Sequence, residues 1–266
     1  FTYSDGQVTA DFSRFDEIAG YMLDELHVNK VYTPWLFYAC GWAYPPSKLF
    51  GLEPGTPEYE KAFRDAYKLF IDHITAKGWR GKFVYYVSDE PFAGSKVTID
   101  GINRLCDMAR EIAPDVLCYS STWGYIPALE GHLSLWGIGP QGTFPMEKVR
   151  ERRAAGDHFW FTTDGQMCTD TPLLAIERLL PWLCFKYDVE AYEFWGVNWW
   201  TYDPWKYGWH SFISQSNEGQ EFYYVRYPNG DGFLTYPGRD IGEKGPVPSI
   251  RLVAAREGVD DYEIFL

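Results

Sequence analysis

The amino-acid sequence predicts an α/β protein of the (β/α)8 TIM-barrel type, with about six of the eight βα units in this chain. Three observations carry this. Short apolar, β-favouring runs alternate with amphipathic helical segments, the pattern of a parallel sheet covered by helices. One such run, Phe83–Val87, ends on Ser88-Asp89-Glu90-Pro91 and delivers two adjacent carboxylates where Pro91 cannot continue a ladder. In βα barrels, chemistry sits where strands run out into loops. Finally, 266 residues suit one barrel-sized domain. With no internal repeat, low-complexity tract or linker, residues 1–266 read as a single domain.

Taken in order, Phe15, Ile18, Ala19, Met22, Leu23 and Leu26 fall on one helical face, with Asp11 or Ser13 as its cap. Val31–Ala39 is expected as a strand in which Pro34 needs a bulge or an unpaired edge. After the loop Gly41–Gly55, Thr56 caps a helix with Pro57 in its first turn, Tyr59, Phe63, Phe70 and Ile74 facing inward, and Gly78 closing it. Ile102, Leu105, Cys106, Ala109 and Ile112 mark the helix after the Asp89-Glu90 strand, stopped by Pro114. Leu117–Ser121 and Leu133–Ile138 read as strands, Pro145–Arg153 as an exposed helix and His158–Thr163 as a strand. Pro172–Lys186 is a helix and Ala191–Val197 a strand running into Asn198-Trp199-Trp200. A Gly- and Tyr-rich excursion, Thr201–Pro248, precedes the closing helix Ser249–Phe265.

A formal net charge of −13 leaves no basic surface to neutralise phosphates, which excludes nucleic acid as a partner. No apolar run reaches the roughly 18 residues that span a bilayer. Phe1 is followed at once by polar residues, so the opening stretch is not expected to act as a signal peptide. Cys40, Cys106, Cys118, Cys168 and Cys184 lack C-x-x-C spacing and read as small core residues. The five His lack metal-ligand spacing, so no metal and no cofactor is expected. Aromatic content is 19%, with 12 Trp and 20 Tyr, more than a core of this size needs. Such rings suit stacking on the apolar faces of sugars, because they join a flat apolar plane to a polar handle.

Four stretches carry a family resemblance: S-D-E-P at Ser88–Pro91, F-W-G-V-N-W-W at Phe194–Trp200, G-D-G-F-L-T-Y-P-G at Gly230–Gly238, and S-I-R-L-V-A-A-R-E-G-V-D-D-Y-E at Ser249–Glu263. In this order, over nearly the whole chain, they resemble the catalytic domain of glycoside hydrolase family 123 and its relatives (domain of unknown function 4091). The resemblance implies a TIM-barrel catalytic domain, usually preceded by a β-sandwich, with the Asp-Glu pair ending the fourth strand. Only Val31–Ala39 then remains as a third strand, so the sandwich and the first two βα units are expected upstream of this chain. A bacterial, extracytoplasmic (periplasmic or secreted) protein acting on a carbohydrate substrate is implied in the same way.

The implied activity is retaining, exo-acting hydrolysis of β-linked N-acetylgalactosamine, assisted by the substrate's own 2-acetamido group, unlike the usual pair of facing carboxylates. Asp89 would orient the acetamide N–H and stabilise the oxazolinium-like intermediate. Glu90 would protonate the leaving oxygen and later take a proton from water. Neighbours on an ideal strand point to opposite faces, which the turn before Pro91 has to overcome. Trp195 and Trp200, at the last strand's C-terminal end, are candidate sugar platforms or plain core. Asn198 either bonds a sugar hydroxyl or caps its strand, and Asp164 either reaches the pocket or forms a turn before Gly165. Tyr38 and Trp123 lie at strand ends. Trp205, Trp209, Tyr202 and Tyr207 either form a lid or pack the excursion.

One departure from the family pattern is Phe161, where relatives commonly carry Tyr, a natural hydroxyl partner for an acetamide oxygen. Two other readings stay open. One is a glycosidase for sugars without an acetamide, pairing Glu90 with Glu193 or Asp164. The other is a non-catalytic carbohydrate-binding barrel.

Overall fold

The structure, a computed structural model, describes residues 1–41, 44, 46–139, 143–163, 175–200, 203–206, 210–215, 222–227 and 230–266. The chain divides into two compact units, one of residues 1–122 with 126–136, the other of residues 123–125 with 137–266.

The first unit opens with an antiparallel hairpin, β1 (Thr2–Ser4) and β2 (Gln7–Thr9), which the expectations above lack. Asp5 and Gly6 turn it, both at positive φ (51° and 76°), as a two-residue hairpin loop demands. Helix α1 (Ser13–Gly20) passes directly into a π-helical stretch, Tyr21–Glu25. The expected side-chain cap does not form. Phe12 holds the cap position, while Asp11 accepts bonds from the Ser13 N–H (2.9 Å) and hydroxyl (2.6 Å). The expected apolar face is also narrower: Ala19 and Leu23 are buried, whereas the adjacent stripe Ile18, Met22 and Leu26 is exposed.

The expected strand Val31–Ala39 is three pieces, because Pro34 has no N–H to give a ladder. Strand β3 (Val31–Tyr32) is followed by a 3-10 turn, Trp35–Phe37, and then β4 (Cys40–Gly41). Both strands run parallel to β5 (Phe83–Asp89), Val31 opposite Phe83 and Cys40 opposite Ser88. Helix α2 (Pro57–Ala76) starts as the sequence dictates, the Thr56 hydroxyl accepting from the Tyr59 N–H at 3.3 Å. Its buried aromatics build the core, Phe70 lying edge-on to Phe83 with centroids 5.2 Å apart, and Phe37 meeting Phe63, Tyr67 and Phe70. Helix α3 (Lys96–Ile112), capped by Ser95, precedes β6 (Cys118–Trp123), which pairs parallel with β5. Strand β7 (Leu135–Ile138) is wholly buried.

In the second unit, α4 (Met146–Ala154) leads to β8 (His158–Thr163), parallel to β9 (Ala191–Phe194). Strand β9 ends three residues short of the expected Val197, because the backbone from Val197 bonds instead to residues 232–235. Helix α5 is described over Ala175–Tyr187; Pro172, its expected start, lies outside the described residues. Within the Gly- and Tyr-rich excursion, β10 (His210–Gln215) and β11 (Phe222–Tyr227) pair antiparallel, and β12 (Thr235–Tyr236) pairs with β13 (Val247–Pro248). Helix α6 (Ile250–Phe265) is capped by Ser249 and tied to α5 where Asp261 accepts from Arg178 and from the Trp182 indole. Strands stand at the six places expected, with β3, β4 and β6 parallel to β5 and β8 parallel to β9. A helix lies between successive places except between β6 and β7, an α/β architecture consistent with a partial TIM-like fold. No helix among the described residues is long and apolar enough to cross a membrane. Cys40, Cys106, Cys118 and Cys184 are free and buried, and Cys168 lies outside the described residues.

Candidate active site

The C-terminal end of β5 holds the carboxylates, and a slip in register decides where they point. Tyr85 and Tyr86 lie opposite Cys118 and Tyr119, but Ser88 and Asp89 lie opposite Ser120 and Ser121. Val87 is thus one extra residue, a β-bulge. Residues three apart on an ideal strand face opposite ways; the inserted residue returns Asp89 to the face of Tyr86. The Tyr86 hydroxyl accordingly donates to Asp89 Oδ1 at 3.0 Å. The Ser121 hydroxyl donates to the same oxygen at 2.5 Å, and the two hydroxyls are 3.3 Å apart. On the other face Ser120 and Ser88 are fully buried, 3.4 Å apart.

Glu90 leaves the strand. Its φ is 42°, the left-handed region that costs a side-chain-bearing residue about 1–2 kcal/mol, and its N–H donates to the Ser121 carbonyl at 2.9 Å. Strict alternation therefore stops at Asp89, and Glu90 need not oppose its neighbour.

Tyr38 closes this group. Its ring stacks on Trp35 (centroids 4.2 Å) and meets Tyr86 edge-on at 5.3 Å. A side chain at Gly41, opposite Asp89 in the ladder, would collide with its hydroxyl. Burial first, then the charges of Asp89, Cys40 and Glu90, hold the Tyr38 phenol protonated far above its ordinary range. Both carboxylates are therefore electrostatically felt at one hydroxyl. Below it, Tyr32, Tyr86 and Tyr119 form a mutual ring cluster with centroids 4.6–5.4 Å apart.

Asp89 is pulled two ways. Burial raises its pKa above the usual carboxylate value, while the Ser121 and Tyr86 hydroxyls lower it; burial wins. A buried carboxylate with both hydroxyl bonds on one oxygen can orient a donor and face a developing positive charge. Its neighbour Glu90 has the chemistry of a proton carrier.

The other predicted residues lie in the second unit or beyond description. Trp195, Asn198 and Trp200 are brought together by the segment 231–235. The Trp195 indole donates to Asp231 Oδ1 at 2.7 Å, Asn198 bridges to Phe233, and the Trp200 indole donates to the Thr235 carbonyl at 2.8 Å. Trp195 is exposed, Trp200 half-buried. Trp123 ends β6 at positive φ (58°), its carbonyl accepting from the Gly139 N–H at 3.0 Å. Trp205 packs against Tyr236, its indole bonded to the Pro237 carbonyl at 3.0 Å. Glu193 is half-buried in β9, and Phe161 is buried in β8 opposite Tyr192. Asp164, Tyr202, Tyr207 and Trp209 lie outside the described residues. Sequence reasoning missed Tyr86, Ser121 and Asp231. Ser121, ending the strand after β5, carried the one available signal, since strand-end polar residues share a sheet end. Among the described residues, no three His, Cys, Asp or Glu side chains come together as metal ligands.

A family model described as glycoside hydrolase 123, catalytic domain, matches residues 2–266. Among solved structures, a family 123 glycoside hydrolase from Clostridium perfringens, described for glycolipid glycan hydrolysis, shares the fold at TM-score 0.53 and 16% identity, covering 78% of this chain. This chain spans 35% of that one's length. A second structure, described as a glycoside hydrolase, aligns at TM-score 0.38 and 12% identity over 69% of this chain and 72% of its own. Among curated proteins there is no match.

Proposed function

The chain belongs to glycoside hydrolase family 123, and on that premise we propose that it hydrolyses β-linked N-acetylgalactosamine with retention, the substrate's acetamide serving as nucleophile. The observation that carries this reading is the Asp89 carboxylate, buried, held on one oxygen by Tyr86 and Ser121, with Glu90 next to it in a left-handed turn. In the first step the acetamide oxygen bonds to the anomeric carbon as the glycosidic C–O bond breaks, and Glu90 gives its proton to the departing oxygen. Asp89 accepts from the acetamide N–H and faces the positive charge growing on the oxazolinium ion. In the second step water attacks the anomeric carbon, Glu90 takes a proton from it, and the acetamide is released. In the first unit Tyr38 is assigned to the sugar beside Asp89 and Glu90; in the second, taken by itself, the exposed Trp195 is assigned to an apolar sugar face, with Asn198 and Trp200 as further proposed sugar contacts.

Two substitutions in the full-length protein test the mechanism. Glu90→Gln should slow substrates with poor leaving groups by about 10²–10⁴ and aryl glycosides less, because good leaving groups need little acid help. Asp89→Asn should slow both kinds alike, and a thiazoline analogue of the N-acetyl sugar should bind far tighter than the product. Intact rates in Asp89→Asn, or cleavage of glycosides lacking an acetamide without thiazoline inhibition, would replace this mechanism with a two-carboxylate one.

A further inference from the structure

After β9 the chain does not run free. The Trp199 N–H donates to the Gly232 carbonyl at 2.9 Å, and the Leu234 and Thr235 N–H groups both reach the Val197 carbonyl, at 2.9 and 3.1 Å. These bonds press the turn at 230–233 against the Trp195-Trp199 pair, whose rings meet at 4.7 Å and 64°. Gly232 sits at φ +84°, and a Cβ there would lie 2.5 Å from Trp195 Cη2 and 2.9 Å from Trp199 Cε3. No other residue fits this approach.

Trp195 is nevertheless 43% exposed, whereas Asp231, which accepts from its indole N–H at 2.7 Å, is 3% exposed. Trp195 is thus partly open to solvent while its indole N–H is tied to a group that solvent barely reaches. The mount is itself anchored. Arg251 of α6, fully buried, donates to the Phe233 carbonyl at 2.6 Å and lies over the Phe233 ring at 5.3 Å. Glu177 of α5, 1% exposed, feels the Arg251 charge, which lowers its pKa, although burial raises it overall. A buried guanidinium is expensive unless compensated, so its placement behind this turn is a strong constraint on it.

We propose that Asp231 is a positioning residue that fixes the Trp195 indole in one orientation as a sugar-binding plane, with Gly232 and Arg251 as the mount. This rests on the glycoside hydrolase reading above. An exposed tryptophan samples several side-chain rotamers. A short bond to a carboxylate and a glycine wall leave one, so the ring is ordered before sugar arrives and binding loses less entropy. Asp231 acts through Trp195 and does not touch the sugar.

The test uses the full-length protein with N-acetylgalactosamine and its 4-nitrophenyl β-glycoside as probes. Trp195→Phe identifies the Trp195 indole N–H signal in the ¹H–¹⁵N spectrum by its disappearance. Asp231→Ala should move and broaden that signal without sugar present, and should raise KM about tenfold with kcat unchanged, as loss of uniform binding does. Asp231→Asn, which keeps an acceptor of the same shape, should restore most of both, and guards against a folding defect in the alanine variant. Adding Asp231→Ala to Trp195→Phe should cost almost nothing further. Additive losses, a fall in kcat alone, an unmoved indole signal, or sugar affinity equal in Asp231→Ala and wild type or absent from both would overturn the proposal. Sugar binding that depends on Asp231 without any turnover would support it while sinking the hydrolase reading.

Discussion

Tyr86→Phe removes one hydroxyl and leaves the ring cluster with Tyr32, Tyr38 and Tyr119 intact, so its main loss is the bond to Asp89, with the weaker 3.3 Å contact to the Ser121 hydroxyl. A hydrogen bond to a charged acceptor stabilises by about 1.5–3 kcal/mol, and this one, at 3.0 Å, belongs at the lower end. About 1.5 kcal/mol is about a tenfold change in the balance between carboxylate and acid. The bond favours the carboxylate and burial favours the acid. In the variant, Asp89 therefore holds its proton to higher pH. If the ionised form is the working one, kcat/KM should fall about tenfold on the acid limb of the pH profile and converge with wild type at higher pH. Ser121→Ala, which removes the shorter bond of 2.5 Å, should shift the limb further. Because the two hydroxyls also meet each other at 3.3 Å, the double variant should not be additive. The assay is kcat/KM for an aryl N-acetyl-β-galactosaminide between about pH 4 and pH 9, the range in which a raised carboxylate titrates. A loss equal at every pH, or an acid limb displaced to lower pH, would refute the electrostatic reasoning and leave Tyr86 a mere packing residue.

Two further outcomes follow from the same few residues. Because burial raises the Asp89 pKa, wild type should lose stability as pH rises through that raised value, and Asp89→Asn, which keeps an acceptor for both hydroxyls, should abolish the slope. Melting temperatures across pH should then show Asp89→Asn more stable than wild type at neutral pH and the two converging in acid; a destabilised variant at neutral pH would contradict this. At Glu90, replacement by Gly should relieve left-handed strain that replacement by Ala retains, making the glycine variant about 1 kcal/mol more stable than the alanine one in urea unfolding.

The sequence announced its strands through composition and its candidate site through position at a strand end. Phe83–Val87 and His158–Thr163 read correctly because buried parallel strands are continuous apolar runs. Thr56-Pro57 marked its helix start to the residue, since a hydroxyl cap and a proline at the first position act locally. What failed was whatever depends on partners. Pro34 foretold a break in the third strand, yet not the 3-10 turn that fills it. Asp5-Gly6 is a strong hairpin signal, but its flanking strands are three residues each, too short to show alternation. The bulge at Val87 leaves no trace in composition, because it exists only as a mismatch between two strands. Tyr86 was invisible as a partner of Asp89 for the same reason, and Ser121 showed only its place at a strand end.

That mismatch would let two consecutive residues hold the different roles proposed for them. Without the bulge Asp89 would face away from Tyr86, toward the side held by the fully buried Tyr85 and Ser120. Without the left-handed turn, Glu90 would continue the ladder and alternate away from Asp89. Each device costs stability, through a lost ladder bond, a strained φ and a buried carboxylate. They persist because the surrounding structure over-determines them: the Glu90 N–H is tied to Ser121, Asp89 is tied to Ser121 and Tyr86, and β5 is clamped by α2 through Phe70 and Phe83. Strain and a buried carboxylate concentrated in four residues, on a strand whose remainder is regular, support the proposal that the chemistry sits here.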